Sequence, residues 1–194
     1  MRICVVRLAA LAAVLYGARR YWRNWGTTKD ECGTALTGDE RLHAPRVTST
    51  EGVWVDRPVD QVWPSVVRLL RADGEGKLAV GDVAWLVPPG RFGSRDGIAL
   101  PVVDVTPDAV IVLQGAPPSV PWEVVWSIHL APRWDDRCRL LVRTRVGLRH
   151  PAEFLVTALA GPLISAANRR LLLAVKRAAE QRSAQPAAVA AVVP

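Results

Sequence analysis

Cysteine is scarce in this chain of 194 residues. The three that occur, Cys4, Cys32 and Cys138, form no C-x-x-C pair, and their odd number excludes a fully paired disulfide framework. Scattered thiols of a reducing compartment are the plain reading. Histidine is equally sparse: no two of His43, His129 and His150 stand at metal-ligand spacing, so no metal site is expected, and no cofactor. Gly90-x-x-Gly93 lacks the Lys-Ser/Thr of a phosphate loop, and no G-x-S-x-G nucleophile elbow is present. No catalytic residue is assigned on these grounds. Long apolar runs are also missing. Residues 8–18 fall short of the roughly 20 that cross a bilayer, and the apolar stretch 154–167 is cut by Asn168-Arg169-Arg170. No internal repeat is visible.

What the chain does contain points to one folded domain with appendages. Half of the residues are apolar and 22% are charged, which fits a packed core. The formal net charge is +7, from 25 Lys and Arg against 18 Asp and Glu. Such a balance seeks an anionic partner. Arg2, Arg7, Arg19, Arg20, Arg23 and Lys29 crowd around residues 8–18, with Tyr16, Tyr21, Trp22 and Trp25 among them. Rings at headgroup level and cations on phosphates suit a membrane surface. An aromatic-interleaved nucleic-acid motif is absent, and no nucleic-acid partner is expected. Residues 1–25 are therefore read as a hydrophobic, basic anchor; a helix packed on the domain and a cleaved signal are the other readings. The heavier positive charge on the C-terminal flank keeps the body on the cytoplasmic side of a membrane-associated protein.

Residues 26–46 are polar, contain Gly38 and Pro45, and read as a linker, opened by a capping box at Thr28 to Glu31. The domain follows at 47–182. Residues 47–55 make a strand with Val53 and Val55 on one face and Trp54 on the other. A helix follows Pro58, with Val59, Val62, Trp63, Val66, Val67 and Leu70 as its apolar stripe. Strands are expected at 78–87, 98–105, 109–114, 122–130 and 138–146, separated by Pro- and Gly-rich turns, and consecutive strands with short connections imply an antiparallel meander. A long helix is expected over 150–182, with Leu155, Leu159, Leu163, Ala167, Leu171 and Val175 on one side and a kink near Gly161-Pro162. Residues 183–194 read as a disordered tail.

The stretches RRYWRNWGTTKDEC (19–32), TGDE (37–40), VWVDRPVDQVWPSVV (53–67), VGDVAWLVP (80–88), VPWEVVWSIHLAPRWDDRCRLLVRTRVGLRHP (120–151) and LLLAVKRAAEQ (171–181) carry a resemblance. The chain resembles the START-like helix-grip superfamily, also called SRPBCC or polyketide cyclase/dehydrase-like, in a bacterial branch with an N-terminal hydrophobic segment. The resemblance implies an α+β fold, with a curved antiparallel sheet wrapped around a long C-terminal helix and a hydrophobic cavity between them for lipids, sterols or polyketides. It carries no universal catalytic motif. Relatives have a longer segment between the first helix and the VGD strand; here only residues 68–77 remain, and the cavity mouth is altered.

Eight Trp against two Phe and two Tyr are unusual. Alternation puts Trp122, Val124, Trp126, Ile128 and Leu130 on one strand face and Glu123, Val125, Ser127 and His129 on the other. Trp54, Trp63, Trp85, Trp122, Trp126, Ile128, Leu159 and Leu163 are the expected ligand-binding residues, with plain core packing as the competing reading for the rings. Arg139, Leu141, Arg143 and Arg145 share a face expected to be solvated or to pair with Glu123 across strands. The expected function is binding of a hydrophobic, lipid-like small molecule near a membrane. Two alternatives are a cyclase- or dehydratase-type enzyme using His129 or Glu123 in the cavity, and a non-binding adaptor whose cavity has collapsed.

Overall fold

The computed structural model describes residues 23–71, 76–87, 97–116, 122–147 and 153–182, with side chains of the last stretch from 161 onward, and Arg7, Gly17 and Gly90 singly. Of the expected anchor 1–25, residues 23–25 are described and lie on the body, while the rest apart from Arg7 and Gly17, and the tail 183–194, lie outside the described residues.

Among the described elements a short helix α1 (Lys29–Gly33) comes first, followed by a 3-10 turn (Asp39–Arg41), strand β1 (Val47–Val55) and helix α2 (Val59–Leu70). Five strands follow: β2 (Val83–Val87), β3 (Ile98–Thr106), β4 (Val110–Gly115), β5 (Glu123–Arg133) and β6 (Arg137–Gly147). Helix α3 (Glu153–Arg182) closes the chain and runs through Gly161 and Pro162 as one element. The sheet has six strands in the order β1-β6-β5-β4-β3-β2. Every neighbouring pair is antiparallel, so only β1 and β6 meet without being consecutive. Register shifts between Trp85 and Val87 and between Val102 and Asp104 bend the β2–β3–β4 end, as bulges do. This is the expected α+β helix-grip arrangement.

Local chemistry accounts for the elements. Thr28 accepts from the Glu31 amide while Glu31 Oε2 accepts from the Thr28 amide, a complete capping box. Pro58 occupies the N-cap of α2, and Val62, Val66, Val67 and Leu70 of the predicted stripe are buried. The main core joins these residues to Val53 and Val55, to Ile111, Leu113, Trp126, Ile128, Leu140 and Val142, and to Leu172, Val175 and Ala179 of α3.

The buried line of α3 differs from the predicted one. Ser165, Asn168, Leu172, Val175 and Ala179 face the sheet, and Leu163 is 74% exposed. Of the predicted stripe Val175 is buried and Leu171 packs against the core, but two polar residues share the gripped face, which a search for apolar periodicity alone does not find.

The opposite, convex face of the sheet is not solvated. Residues 23–46, polar enough to read as a linker, lie along it. Arg139 donates to both carboxylate oxygens of Glu31, at 2.7 and 2.9 Å, and sits 5.0 Å from the ring centroid of Trp54. Arg143 donates to Asp39 Oδ2 at 2.6 Å, to the carbonyls of Thr34 and Glu31 at 2.7 Å each, and to Thr50 Oγ1 at 3.1 Å. Arg145 reaches Asp39 Oδ1 at 3.0 Å and the Leu42 carbonyl at 2.8 Å. The expected shared face of Arg139, Arg143 and Arg145 is correct, but their partners are Glu31 and Asp39 rather than water or Glu123. Glu123 instead accepts from Gln114 at 2.8 Å.

The same segment seals the outer edge of β1. Arg23 donates to the Thr48 carbonyl, Thr27 Oγ1 to the Thr50 carbonyl, and the Gly52 amide to the Trp25 carbonyl. An unpaired sheet edge invites foreign strands, and this one is covered. The crossing is tight at Gly26: its φ is +71°, and a Cβ there would lie 2.3 Å from the Gly52 oxygen.

Candidate functional site

Two features stand out on the side of the sheet gripped by α3. The first is a buried polar cluster. In β1 the inward alternation that places Val53 and Val55 in the core also places Ser49 and Glu51 there, and Glu51 is 0% exposed. Asn168 of α3 organises the cluster. Its Nδ2 donates to Glu51 Oε2 and to Thr144 Oγ1, and its Oδ1 accepts from Trp126 Nε1, each at 3.0 Å. Glu51 Oε1 has no hydrogen bond. Burial pushes the Glu51 carboxyl up to about 7, against the opposing influence of Asn168, Ser165, Arg169 and Ser49. Arg169 also stacks over Trp25, 5.0 Å from its ring centroid, so the cluster touches the N-terminal crossing.

The second feature is an open recess of about 810 Å³ at the far end of α3. Trp63, Pro64, Val67 and Arg68 of α2 form one wall; Gly76, Lys77 and Leu78 form a second. Pro107 and Asp108, in the β3–β4 turn, and Arg182, at the end of α3, complete it. The recess therefore opens beside residues 68–77, the segment that is short relative to the resembled family. Arg71 braces the second wall, donating to the Lys77 carbonyl at 2.7 Å and pairing with Asp82 at 3.4 Å, while Asp82 accepts from the Ala79 amide. Trp63 packs its inner side on the main core, so the ring is half-buried and presents the rest to the recess.

The predicted ligand-binding residues are dispersed by this geometry. Trp126 and Ile128 are packed into the main core beneath α3. Trp122 is buried just before β5 but is no member of that core. Trp63 lines the recess. Trp54 is 46% exposed on the convex face against Arg139. Trp85 is half-buried, while its neighbours Ala84 and Leu86 join the main core. Leu163 stands outward, and the side chain of Leu159 lies outside the described residues. Trp126, Leu140, Val142 and Leu172 belong to one buried core cluster, and the recess lies at the end of the helix.

His129 and Glu123, the acid–base candidates, are on the convex face, away from α3. His129 bonds Ser127 Oγ at 2.9 Å, and burial, with Arg143 nearby, pushes it down to about 4, so its ring is neutral. Burial pushes the Cys138 thiol up to about 11, which leaves it inert. Among the described residues no group of His, Cys, Asp and Glu is arranged to hold a metal ion, and no helix is long and apolar enough to cross a membrane. Sequence reasoning missed Glu51, Asn168, Lys77 and Arg182. Strand alternation alone would have turned Glu51 inward with Val53 and Val55; nothing local marks the other three.

No family model matches the sequence, and neither does any curated protein. Solved structures do match by fold. A protein of unknown function, SA2116 from Staphylococcus aureus, is similar with a TM-score of 0.52 and 11% identity, over 71% of this chain and 96% of that one. A point mutant of norcoclaurine synthase from Thalictrum flavum, in complex with a transition-state analogue, gives a TM-score of 0.49 at 17% identity, over 71% and 97%. The Zhui aromatase/cyclase from Streptomyces sp. R1128 gives 0.45 at 18%, over 71% and 95%. At these identities the likeness is one of fold.

Proposed function

Starting from a chain with the START-like helix-grip fold, we propose that this protein binds a small, largely apolar molecule where the sheet meets the C-terminal helix, at the cytoplasmic face of a membrane. The observation that carries the reading is the recess of about 810 Å³ beside Trp63, Val67 and Leu78. Its volume lies within the range of small-molecule sites, and the half-buried indole of Trp63 beside aliphatic groups supplies a flat apolar contact. Covering about 200 Å² of apolar surface stabilises a complex by about 5 kcal/mol before ordering costs. Binding rather than turnover is the function the positions support, because neither His129 nor Glu123 faces this side of the sheet. Membrane attachment is supported by Arg2, Arg7, Arg19 and Arg20 with Tyr16, Tyr21 and Trp22.

Protein purified gently from its native cells is expected to retain a small molecule visible as a mass increment in native mass spectrometry, and Trp63→Ala is expected to lose it. Absence of any adduct, together with no saturable response to apolar fluorescent dyes, would overturn the binding reading. Removing residues 1–22 is expected to shift the protein from the membrane pellet to the supernatant on fractionation; an unchanged distribution would remove the membrane from the proposal.

A further inference from the structure

We infer that the molecule taken by this recess is an amphiphile with an anionic head, held by Arg68, Lys77 and Arg182. The inference deepens the binding function proposed above and rests on it. Three cations from separate parts of the chain (α2, the segment before β2, and the end of α3) converge on one recess whose remaining surface includes Trp63, Val67 and Leu78. All three are exposed, and among the described residues none of them takes part in an ion pair. Other exposed cations that join no ion pair among the described residues, such as Arg133 and Arg177, do not line the recess, and several cations of the body are paired. Arg71 pairs with Asp82, Arg137 with Asp56, Arg139 with Glu31, Arg143 and Arg145 with Asp39, and Lys176 with Glu180. Among the described residues that line the recess the one acid is Asp108, against these three cations.

Like charges gathered around a partly apolar concavity repel one another and raise the local potential. An anion brought among them relieves that repulsion, and the low-dielectric wall of Trp63 and Leu78 strengthens the attraction relative to open water. A ligand that satisfies the whole surface therefore has an apolar body against the indole and a carboxylate or phosphate at the rim. Arginine offers a planar fork to either head and lysine a point charge, so the set accepts both chemistries.

The test uses the full-length protein with three probes, below their micellar concentrations at pH 8. Bromoundecanoate carries chain and charge, bromoundecanol the chain alone, and butyrate or inorganic phosphate the charge alone. Bromine quenches nearby indole fluorescence, and the difference between wild type and Trp63→Phe isolates the Trp63 signal. The expected result is that bromoundecanoate quenches Trp63 with at least tenfold higher affinity than bromoundecanol, a preference that shrinks with added salt. Arg68→Gln combined with Lys77→Gln is expected to cut it below threefold, while Arg177→Gln, an exposed arginine of α3 outside the recess, preserves it. Equal affinities for the two brominated probes would overturn the anionic head and leave the binding function standing. Displacement of bromoundecanoate by butyrate or phosphate at comparable concentrations would assign the site to free anions and overturn the amphiphile. If neither brominated probe quenches Trp63, this inference and the proposed function fail together.

Discussion

Glu51→Gln is expected to make the protein more stable at pH 8 by about 3 kcal/mol and to leave it near wild type at pH 4, a difference that denaturant titrations across pH would measure. The carboxyl is fully buried, and burial raises it from an ordinary 4.5 to about 7 in the folded state. The native protein thus holds a proton that the unfolded chain releases above pH 4.5. Between about 4.5 and 7 the native state binds more protons, so its stability falls as pH rises, and the full penalty is present above 7. The neutral amide never incurs that penalty. His129 acts in the opposite direction. Its folded value of about 4 lies below the ordinary 6.5, so it withdraws stability as pH falls from 6.5 to 4. The two slopes oppose one another between about 4.5 and 6.5. Wild type is expected to be flat there, while Glu51→Gln exposes the acid-side loss due to His129. A difference between variant and wild type that stays constant from pH 4 to pH 8 would show that Glu51 is not buried as a titrating acid.

Arg143→Ala is expected to cost about 3–5 kcal/mol, the largest loss from any single charge on the sheet. Its side chain is 3% exposed and its guanidinium joins Asp39, Thr34, Glu31 and Thr50. Removal takes that donor from the Glu31 and Thr34 carbonyls at the end of α1 and leaves Asp39 Oδ2 without its cation. Arg143→Lys is expected to rescue little, because a point charge cannot serve acceptors lying in several directions. By contrast, Arg137, 46% exposed and paired with an Asp56 that is 55% exposed, is expected to contribute no more than about 1 kcal/mol. The checks are chemical denaturation and limited proteolysis within residues 23–46, which is expected to become fast in Arg143→Ala. A loss under 1 kcal/mol with unchanged cleavage would mean that the N-terminal segment is held by something other than these arginines.

The fold was legible wherever short-range periodicity and burial agreed. The capping box at Thr28, the Pro58 start and apolar stripe of α2, the bounds of β1 and the face alternation of β5 all follow from residues within a few positions of one another. On α3 hydrophobic periodicity found Leu171 and Val175 but failed at Ser165 and Asn168, which take positions on the gripped face, and at Leu163, which turns to solvent. It failed for a physical reason: a buried amide that serves a carboxylate, a hydroxyl and an indole carries no apolar signal. The arginines of β6 were correctly assigned to one face, yet their environment was misread. What covers that face comes from about a hundred residues earlier in the chain, and only the pairing of Glu31 and Asp39 with Arg139, Arg143 and Arg145 reveals it. The tryptophans illustrate the same limit. Composition marked them as unusual, but one ring lines a recess, one fills the core and one lies on an arginine, and those fates depend on register between distant strands.

The attachment of Arg23 to β1 has a mechanical consequence. Its guanidinium grips the Thr48 carbonyl at 2.6 and 3.1 Å, so the chain is already fixed to the body at the residue where the basic, aromatic stretch ends. Should residues 1–22 settle on a bilayer, the body would inherit their orientation instead of swinging freely above it, and its search for a partner molecule would be confined to two dimensions.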